Sequence, residues 1–240
     1  LRPQFHFTAR KWTLHNLNPV IRTEQPHGGE LGWINDPNGL VYYKGEWHLF
    51  ANGAGSYWVH AVSKDLLHWE ELPPKLIRDP VLGNTASGSA VVDWNNTSGF
   101  GTEKEKALLA FFTGWKNKVQ CMAYSIDRGR TWTKYKENPI LAHADRDPKV
   151  FWYKPDSKWI MIVYGPPGRS YNFFGSTDLK NWEKLSTFPD MFECPDIFQL
   201  PLDDDQAKMK WVLSDGDGSY VVGQFDGRKI QDEQEKEALD

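Results

Sequence analysis

The chain has 240 residues, which is enough for one large domain or two small ones with a buried core. Its 28 Lys and Arg against 32 Asp and Glu give a net charge of −4, so no basic field exists to attract nucleic acid or anionic lipid. No stretch approaches the roughly 20 apolar residues of a membrane helix, whereas 12 Trp residues favour sugar contacts or repeated sheet packing.

Short alternating apolar runs, separated by tight turns, predict an all-β protein. In chain order these runs are 40–43, 47–50, 107–112, 149–153, 159–164, 211–213 and 220–222. Turn chemistry such as Lys44-Gly45 separates them, and no convincing amphipathic helix occurs before the acidic segment 231–240.

The sequence also contains a repeat with a longer period than the strands. A Ser-x-Asp element ending in Trp occurs at 63–69, 125–132 and 176–182, and an acid shortly before a proline occurs at 35–37, 146–148 and 193–195. Because proline fixes its own φ and biases its predecessor to extended geometry, these acids are predicted at strand starts. Units of this size predict the blades of a β-propeller. We count four in a single domain over 1–240, at 33–72, 86–135, 146–185 and 193–230.

The innermost strands of propeller blades converge on one axis. The pattern therefore predicts that Asp36, Asp147 and Glu193 meet at one end of the channel, with the Ser-Gly-Ser of 87–89 beside them. Each acid–proline pair alone is an ordinary strand entry, but three in register favour a site. Crowded carboxylates split their proton affinities, and glycoside cleavage needs such a pair as nucleophile and acid.

These residues carry a family resemblance. Trp-Ile-Asn-Asp-Pro-Asn-Gly at 33–39, Ser-Gly-Ser at 87–89, Arg-Asp-Pro at 146–148 and Glu-Cys-Pro-Asp at 193–196 occur in this order. The chain thereby resembles glycoside hydrolase family 32, the invertases, inulinases, levanases and fructan exohydrolases. The likeness covers nearly the whole chain, including the phrases at 39–50 and 60–69.

The resemblance implies a five-bladed propeller and a retaining β-fructofuranosidase. It implies that Asp36 is the nucleophile, Glu193 the general acid and base, and Asp147 the residue that holds fructose hydroxyls and stabilises the transition state. The implied sugar-binding residues are Trp33, Asn35, Asn52, Ser87 and Arg146. A carbohydrate is the expected partner, and no nucleic acid, membrane, cofactor or metal is expected; the His residues also lack metal-ligand spacing.

The chain departs from the family pattern at two places in the pocket and at its end. The loop at 51–57 replaces the usual Tyr-Gln and Asn-Pro sequence, with Asn52 where Gln is expected, and Ala86 replaces a Phe. These changes predict an altered sugar subsite. We also expect about four of the five blades and no C-terminal β-sandwich, as in a fragment. The chain starts without an initiator Met or an apolar signal core, which predicts a mature form or an excised piece and is compatible with export.

Three alternatives accompany this interpretation. The element at 125–132 fits the Asp-box of sialidase propellers, but no arginine cluster with a Tyr nucleophile can be assembled. A five-bladed arabinan- or xylan-directed glycosidase also uses three axial acids, and the phrases at 33–39 and 193–195 favour fructosides over it. The third alternative is a carbohydrate-binding relative without activity, suggested by the altered loop and the absent blade.

Overall fold

A computed structural model describes residues 7, 9, 34–53, 57–74, 76–142, 145–232 and 236–238. Trp33 and residues 54–56 of the altered loop lie outside this set. Within it, no helix has the length and apolar character that crossing a membrane requires.

The strands form four antiparallel sheets that follow one another along the chain. The first contains β1 (Asn35–Tyr43), β2 (Glu46–Gly53), β3 (Tyr57–Ser63) and β4 (Trp69–Leu72). The second contains β5 (Thr85–Val92), β6 (Leu108–Gly114), β7 (Val119–Ser125) and β8 (Thr133–Lys134). The third contains β9 (Arg146–Tyr153), β10 (Lys158–Gly165), β11 (Ser170–Ser176) and β12 (Glu183–Pro189), with a 3₁₀ turn at Lys154–Asp156. The fourth contains β13 (Asp196–Leu202), β14 (Asp205–Ser214), β15 (Ser219–Phe225), β16 (Ile230–Asp232) and β17 (Glu237–Ala238), which pairs with β15.

Apart from β17, the strands of each sheet form a meander in sequence order, which is the construction of a propeller blade. The predictions of an all-β chain and of four blades are therefore confirmed. The first strands of the first three blades lie side by side, since β5 packs against both β1 and β9. This arrangement brings the beginnings of β1, β5 and β9 to one place.

The hydrophobic core lies between neighbouring blades. Strand β6 is buried at all seven residues and packs on both sides, so that its apolar run is continuous. Its Phe112 belongs to the cluster shared with the first blade, and its Phe111 belongs to the cluster shared with the third. A third cluster joins the last two blades through Tyr171, Leu213 and Phe225. Burial of such large side chains is worth about 1.5–3 kcal/mol each.

The repeated Ser-x-Asp element is the turn between the third and fourth strands in three of the blades. In the second blade, Ser125 Oγ donates to Asp127 Oδ1 at 2.7 Å, and the Trp132 indole donates to the Gly129 carbonyl at 3.1 Å. The equivalent bonds recur in the first and third blades. The Trp residues of these turns therefore serve blade structure.

A buried histidine pair lies between the first and second blades. His48 Nδ1 is 3.0 Å from His60 Nε2, and an ion pair between Arg130 and Glu46 lies beside them. Burial lowers the pKa of His48 to about 4; Glu46 opposes the shift, and Arg130 and Arg128 add to it. Burial also holds the pKa of His60 well below its usual value, so both rings are neutral in the folded chain at neutral pH.

Stability should fall as the pH drops from about 6.5 toward 4, because the unfolded chain takes up protons that the folded histidines refuse. Above this window the two histidines are neutral in both the folded and the unfolded chain, so their contribution to the free energy of unfolding is constant. For His48, the shift from 6.5 to about 4 corresponds to roughly 3 kcal/mol. Thermal unfolding across this window should show a flatter dependence for His60→Gln. Phe173→Leu, in the core between the last two blades, removes no titrating group and should keep the wild-type slope, and equal slopes for the two variants would contradict this assignment.

Candidate active site

One carboxylate from each of the first, third and fourth blades reaches the same end of the axis. Asp36 and Asp147 are the second residues of β1 and β9, and Glu193 lies in the loop before β13. The second blade adds Ser87 from β5. These side chains border a cavity of about 220 Å³. The cavity is lined by Asp36, Asn52, Asn84, Ala86, Ser87, Trp115, Arg146, Asp147 and Glu193.

Most of the residues expected to bind the sugar lie at this cavity. Asn52, Ser87 and Arg146 line it, together with the three acids. Asn35 is not among the described residues that line it, and its amide donates instead to Asp36 Oδ1 at 3.1 Å.

The backbone is strained where two of the acids are held. Asp147, Glu193 and Cys194 have φ angles of 61°, 35° and 44°, in the left-handed region, so the extended geometry predicted for the residue before proline is wrong at Asp147 and Cys194. This region costs a non-glycine residue about 1–3 kcal/mol and is found repeatedly at functional sites. Such conformations persist only where neighbouring contacts impose them.

Asp36 is held by hydrogen bonds from two strands. Its Oδ2 accepts from Ser87 Oγ at 2.6 Å and from Asn52 Nδ2 at 3.3 Å. Asn52 Nδ2 also donates to Ser87 Oγ at 2.8 Å, which links the two donors. Because Asp36 itself is exposed, its oriented carboxylate remains accessible from the cavity.

Asn38 extends this network, although the sequence pattern does not single it out. Its Nδ2 donates to Asn52 Oδ1 at 2.8 Å, and its Oδ1 accepts from the Gly88 N–H at 3.1 Å. Asn38 is 1% exposed, so its amide does not face the solvent. Both ends of the amide orient neighbouring groups, namely the Asn52 side chain and the Gly88 backbone. Its place in the motif at 33–39 is the sequence signal that could have marked it.

Asp147 is buried. Its N–H donates to Thr113 Oγ1 at 3.0 Å, and its Oδ2 accepts from the Cys194 N–H at 3.1 Å. Burial raises the pKa of Asp147 to about 6; the Cys194 N–H and the adjacent guanidinium oppose this shift, and the charges of the other two acids add to it. The carboxyl group is therefore mainly ionised at neutral pH but close to its titration range.

Arg146 lies among the acids. Its Nε is 3.4 Å from Glu193 Oε2 and 3.8 Å from Asp147 Oδ2, and its Nη1 is 3.2 Å from Asp145 Oδ1. The guanidinium carbon lies 4.6 Å from the centroid of the Tyr164 ring. One positive charge thus partly offsets the crowded negative charge, and its planar donors are held beside the cavity.

One wall of the cavity carries Trp115, which no motif marks. This residue follows β6 and is 44% exposed. Its backbone N–H donates to the Asn84 carbonyl at 3.0 Å. The Lys118 ammonium lies 3.9 Å from its ring centroid. Trp115 supplies aromatic surface to the cavity, which Ala86 also lines. Trp58, by contrast, is buried in the core and donates to the Ala86 carbonyl at 2.8 Å.

Asp147, Glu193 and Cys194 offer three potential metal ligands within 4.8 Å of one another. Burial and the surrounding carboxylates raise the pKa of the Cys194 thiol to about 12, so it stays protonated and is a poor ligand. Arg146 places a positive charge next to the same two carboxyl groups. These features favour acid–base chemistry over cation binding at this position.

Comparison with known proteins agrees with the motifs. Residues 11–240 match the family described as Glycosyl hydrolases family 32 N-terminal domain. The chain is 42% identical over 262 residues to a levanase of Bacillus subtilis (strain 168), covering 97% of this chain and 35% of the levanase. It is 39% identical over 230 residues to an invertase of Debaryomyces hansenii, covering 82% of this chain and 43% of the invertase.

A solved structure is similar over almost the whole chain. It is the β-fructofuranosidase of Schwanniomyces occidentalis complexed with fructosyl-erythritol, with a TM-score of 0.79 and 32% identity. The match covers 98% of this chain and 49% of that one. This chain thus spans less than half the length of each of these relatives. Since the family's N-terminal domain matches from residue 11 to the end, the chain belongs to glycoside hydrolase family 32.

Proposed function

We propose that this chain carries the catalytic propeller of a retaining β-fructofuranosidase acting on sucrose or on inulin- or levan-type fructans. The observation that carries the proposal is the meeting of Asp36, Asp147 and Glu193, from three blades, around one small cavity. The levanase and invertase relatives, and the fructosyl compound bound by the S. occidentalis relative, support a fructosyl group as the ligand.

Asp36 acts as the nucleophile in the first step. One of its carboxylate oxygens attacks the anomeric carbon of the fructosyl unit, and the bond from that carbon to the leaving oxygen breaks. The transition state resembles an oxocarbenium ion, so the negative charge around the cavity stabilises it. Ser87 and Asn52 hold the attacking carboxylate in place.

Glu193 moves the protons in both steps. It first gives its proton to the leaving oxygen, so that an alcohol departs. As a carboxylate, it then takes a proton from water while the water oxygen attacks the anomeric carbon and releases Asp36. Two displacements at one carbon leave its configuration unchanged.

Asp147 and Arg146 bind the fructosyl hydroxyls. The ionised Asp147 carboxylate accepts hydrogen bonds from hydroxyl groups, and Arg146 donates them, so the ring is held against the nucleophile. Asn52 and Ser87 hydrogen-bond both to the substrate and to Asp36. Positioning of this kind converts attack by Asp36 into an intramolecular step.

Fructose release tests the proposal. The full chain is incubated with sucrose, short inulin and levan, with a sialoside, an arabinan and a xylan as alternatives, and with Asp36→Asn as the blank. We expect free fructose from at least one fructan or from sucrose. In the presence of methanol we also expect methyl β-fructofuranoside, which is identified by NMR and reports retention.

Other outcomes would redirect the assignment. The α-anomer of the methyl product would indicate inversion, and cleavage of the sialoside, arabinan or xylan without fructose release would contradict the substrate class. Binding of fructans by the folded chain without turnover would identify a carbohydrate-binding relative.

A further inference from the structure

The loop that carries Glu193 is held from outside the cavity by two blades. Glu193 and Cys194 have backbone dihedral angles in the left-handed region, which is unfavourable for residues other than glycine. Contacts from the surrounding structure must therefore hold the loop in this conformation. The Cys194 N–H reaches Asp147 on the cavity side. On the other side, hydrogen bonds to Phe192 and Glu193 come from β11 and from the turn after β14.

Tyr171 provides the contact from the third blade. Its hydroxyl donates to the Glu193 carbonyl at 2.6 Å, and its ring is fully buried in the cluster between the last two blades. Burial raises the pKa of Tyr171 far above its usual value, so the hydroxyl remains a donor wherever the fold persists. The bond therefore fixes the peptide group that directly follows the Glu193 side chain.

Asp215 and Gly216 provide the contact from the fourth blade. Asp215 Oδ2 accepts from the Phe192 N–H at 3.1 Å, and the Gly216 N–H donates to the Phe192 carbonyl at 2.8 Å. The Asp215 side chain has no exposed surface, and it is held in turn by Lys236 at 3.0 Å. The residue before Glu193 is thus fixed at both its donor and its acceptor.

We propose that Tyr171 and Asp215 are positioning residues that hold the general acid Glu193 at the distance from the leaving oxygen that proton transfer requires. This inference rests on the proposed function. Neither residue is among those that line the cavity, so each acts through the backbone of the loop. A general acid works only within about 2.6–3.2 Å of the atom it protonates. A displacement of about 1 Å can cost about 100-fold in rate.

The test removes the Tyr171 hydroxyl and compares two leaving groups. In Tyr171→Phe, kcat/KM for sucrose should fall about tenfold, part of the roughly 100- to 10,000-fold that a general acid supplies. For nitrophenyl β-fructofuranoside, whose leaving group needs little protonation, the loss should stay below about twofold. The ratio of the two losses reports the acid step alone.

Tyr153→Phe is the matched control. Tyr153 is buried in the same cluster, and its hydroxyl also donates to a backbone carbonyl, that of Phe225, at 3.1 Å. This control should lose stability similar to that lost by Tyr171→Phe, with the wild-type ratio of the two substrates. Asp215→Asn, which weakens the second contact, should show the same selective loss on sucrose as Tyr171→Phe.

Equal losses on both substrates in Tyr171→Phe, or no loss, would overturn the positioning role and leave the proposed function intact. A selective loss in Tyr153→Phe would overturn it as well, because the effect would then follow general loosening of the blades. A wild-type chain that releases fructose from neither substrate would overturn the proposed function, and the positioning role with it. Thermal unfolding of every variant fixes an assay temperature at which all of them are folded.

Discussion

Fructose release should fall by more than about 10,000-fold in Asp36→Asn, because the neutral amide cannot form the covalent bond to the anomeric carbon. The substitution keeps the size and shape of the side chain. An amide oxygen can take the place of Oδ2 and accept from Ser87 Oγ, which is now at 2.6 Å. The fold and the sugar pocket should therefore persist, and initial rates on sucrose measure the loss.

The control for this variant is Asp203→Asn, which makes the same chemical change in the exposed turn between β13 and β14. Its backbone has a φ of 52°, which asparagine tolerates. We expect wild-type rates from it. Fructose binding measured by calorimetry should persist in Asp36→Asn, and substantial turnover by that variant would remove Asp36 from the role of nucleophile.

Glu193→Gln should lower kcat on sucrose by about 1,000-fold, because glutamine can neither protonate the leaving oxygen nor activate water. With nitrophenyl β-fructofuranoside the first step should recover, since nitrophenolate departs without a proton. The second step still needs a base. We therefore expect a burst of about one nitrophenol per chain followed by slow turnover, recorded in a stopped-flow absorbance experiment.

Added azide distinguishes this role from simple loss of structure. Azide needs no general base, so it should release the trapped fructosyl group as fructosyl azide and restore steady turnover of the nitrophenyl substrate. Glu183→Gln, on an exposed position of β12, is the matched control and should behave as wild type. A Glu193→Gln variant that loses both substrates equally and is not rescued would contradict the acid–base assignment.

The blades could be predicted from the sequence because their signals are local. A strand such as β6 carries an unbroken apolar run, and the turns between the third and fourth strands of three blades repeat a Ser-x-Asp pattern whose bonds join residues two to four positions apart. Interactions over such short separations are encoded in the residues that make them. Each acid–proline pair is equally local. Because the pair recurs in three blades, it predicted that the acids meet at the axis.

The detailed surroundings of the acids could not be predicted in this way. The pairing of β1 with β2 shifts register between Asn35 and Pro37 and again between Pro37 and Gly39. Each shift changes the face to which a side chain points, and an alternating pattern does not encode it. The Asn35 side chain consequently donates to Asp36 instead of lining the cavity, and the buried Asn38 side chain donates to Asn52.

The sequence by itself determined the all-β class, the four blades and the family, and it predicted which acids meet at the candidate site. Only the tertiary structure decided what holds those acids: Thr113 under Asp147, Tyr171 and Asp215 around the Glu193 loop, and Trp115 on the cavity wall. The hydrogen bonds of Thr113, Tyr171 and Asp215 join residues that are 34, 22 and 23 positions apart, and those of Thr113 and Tyr171 also join different blades. Their distances depend on how the packed sheets are oriented around the axis, and that orientation is a property of the whole core and of no single segment.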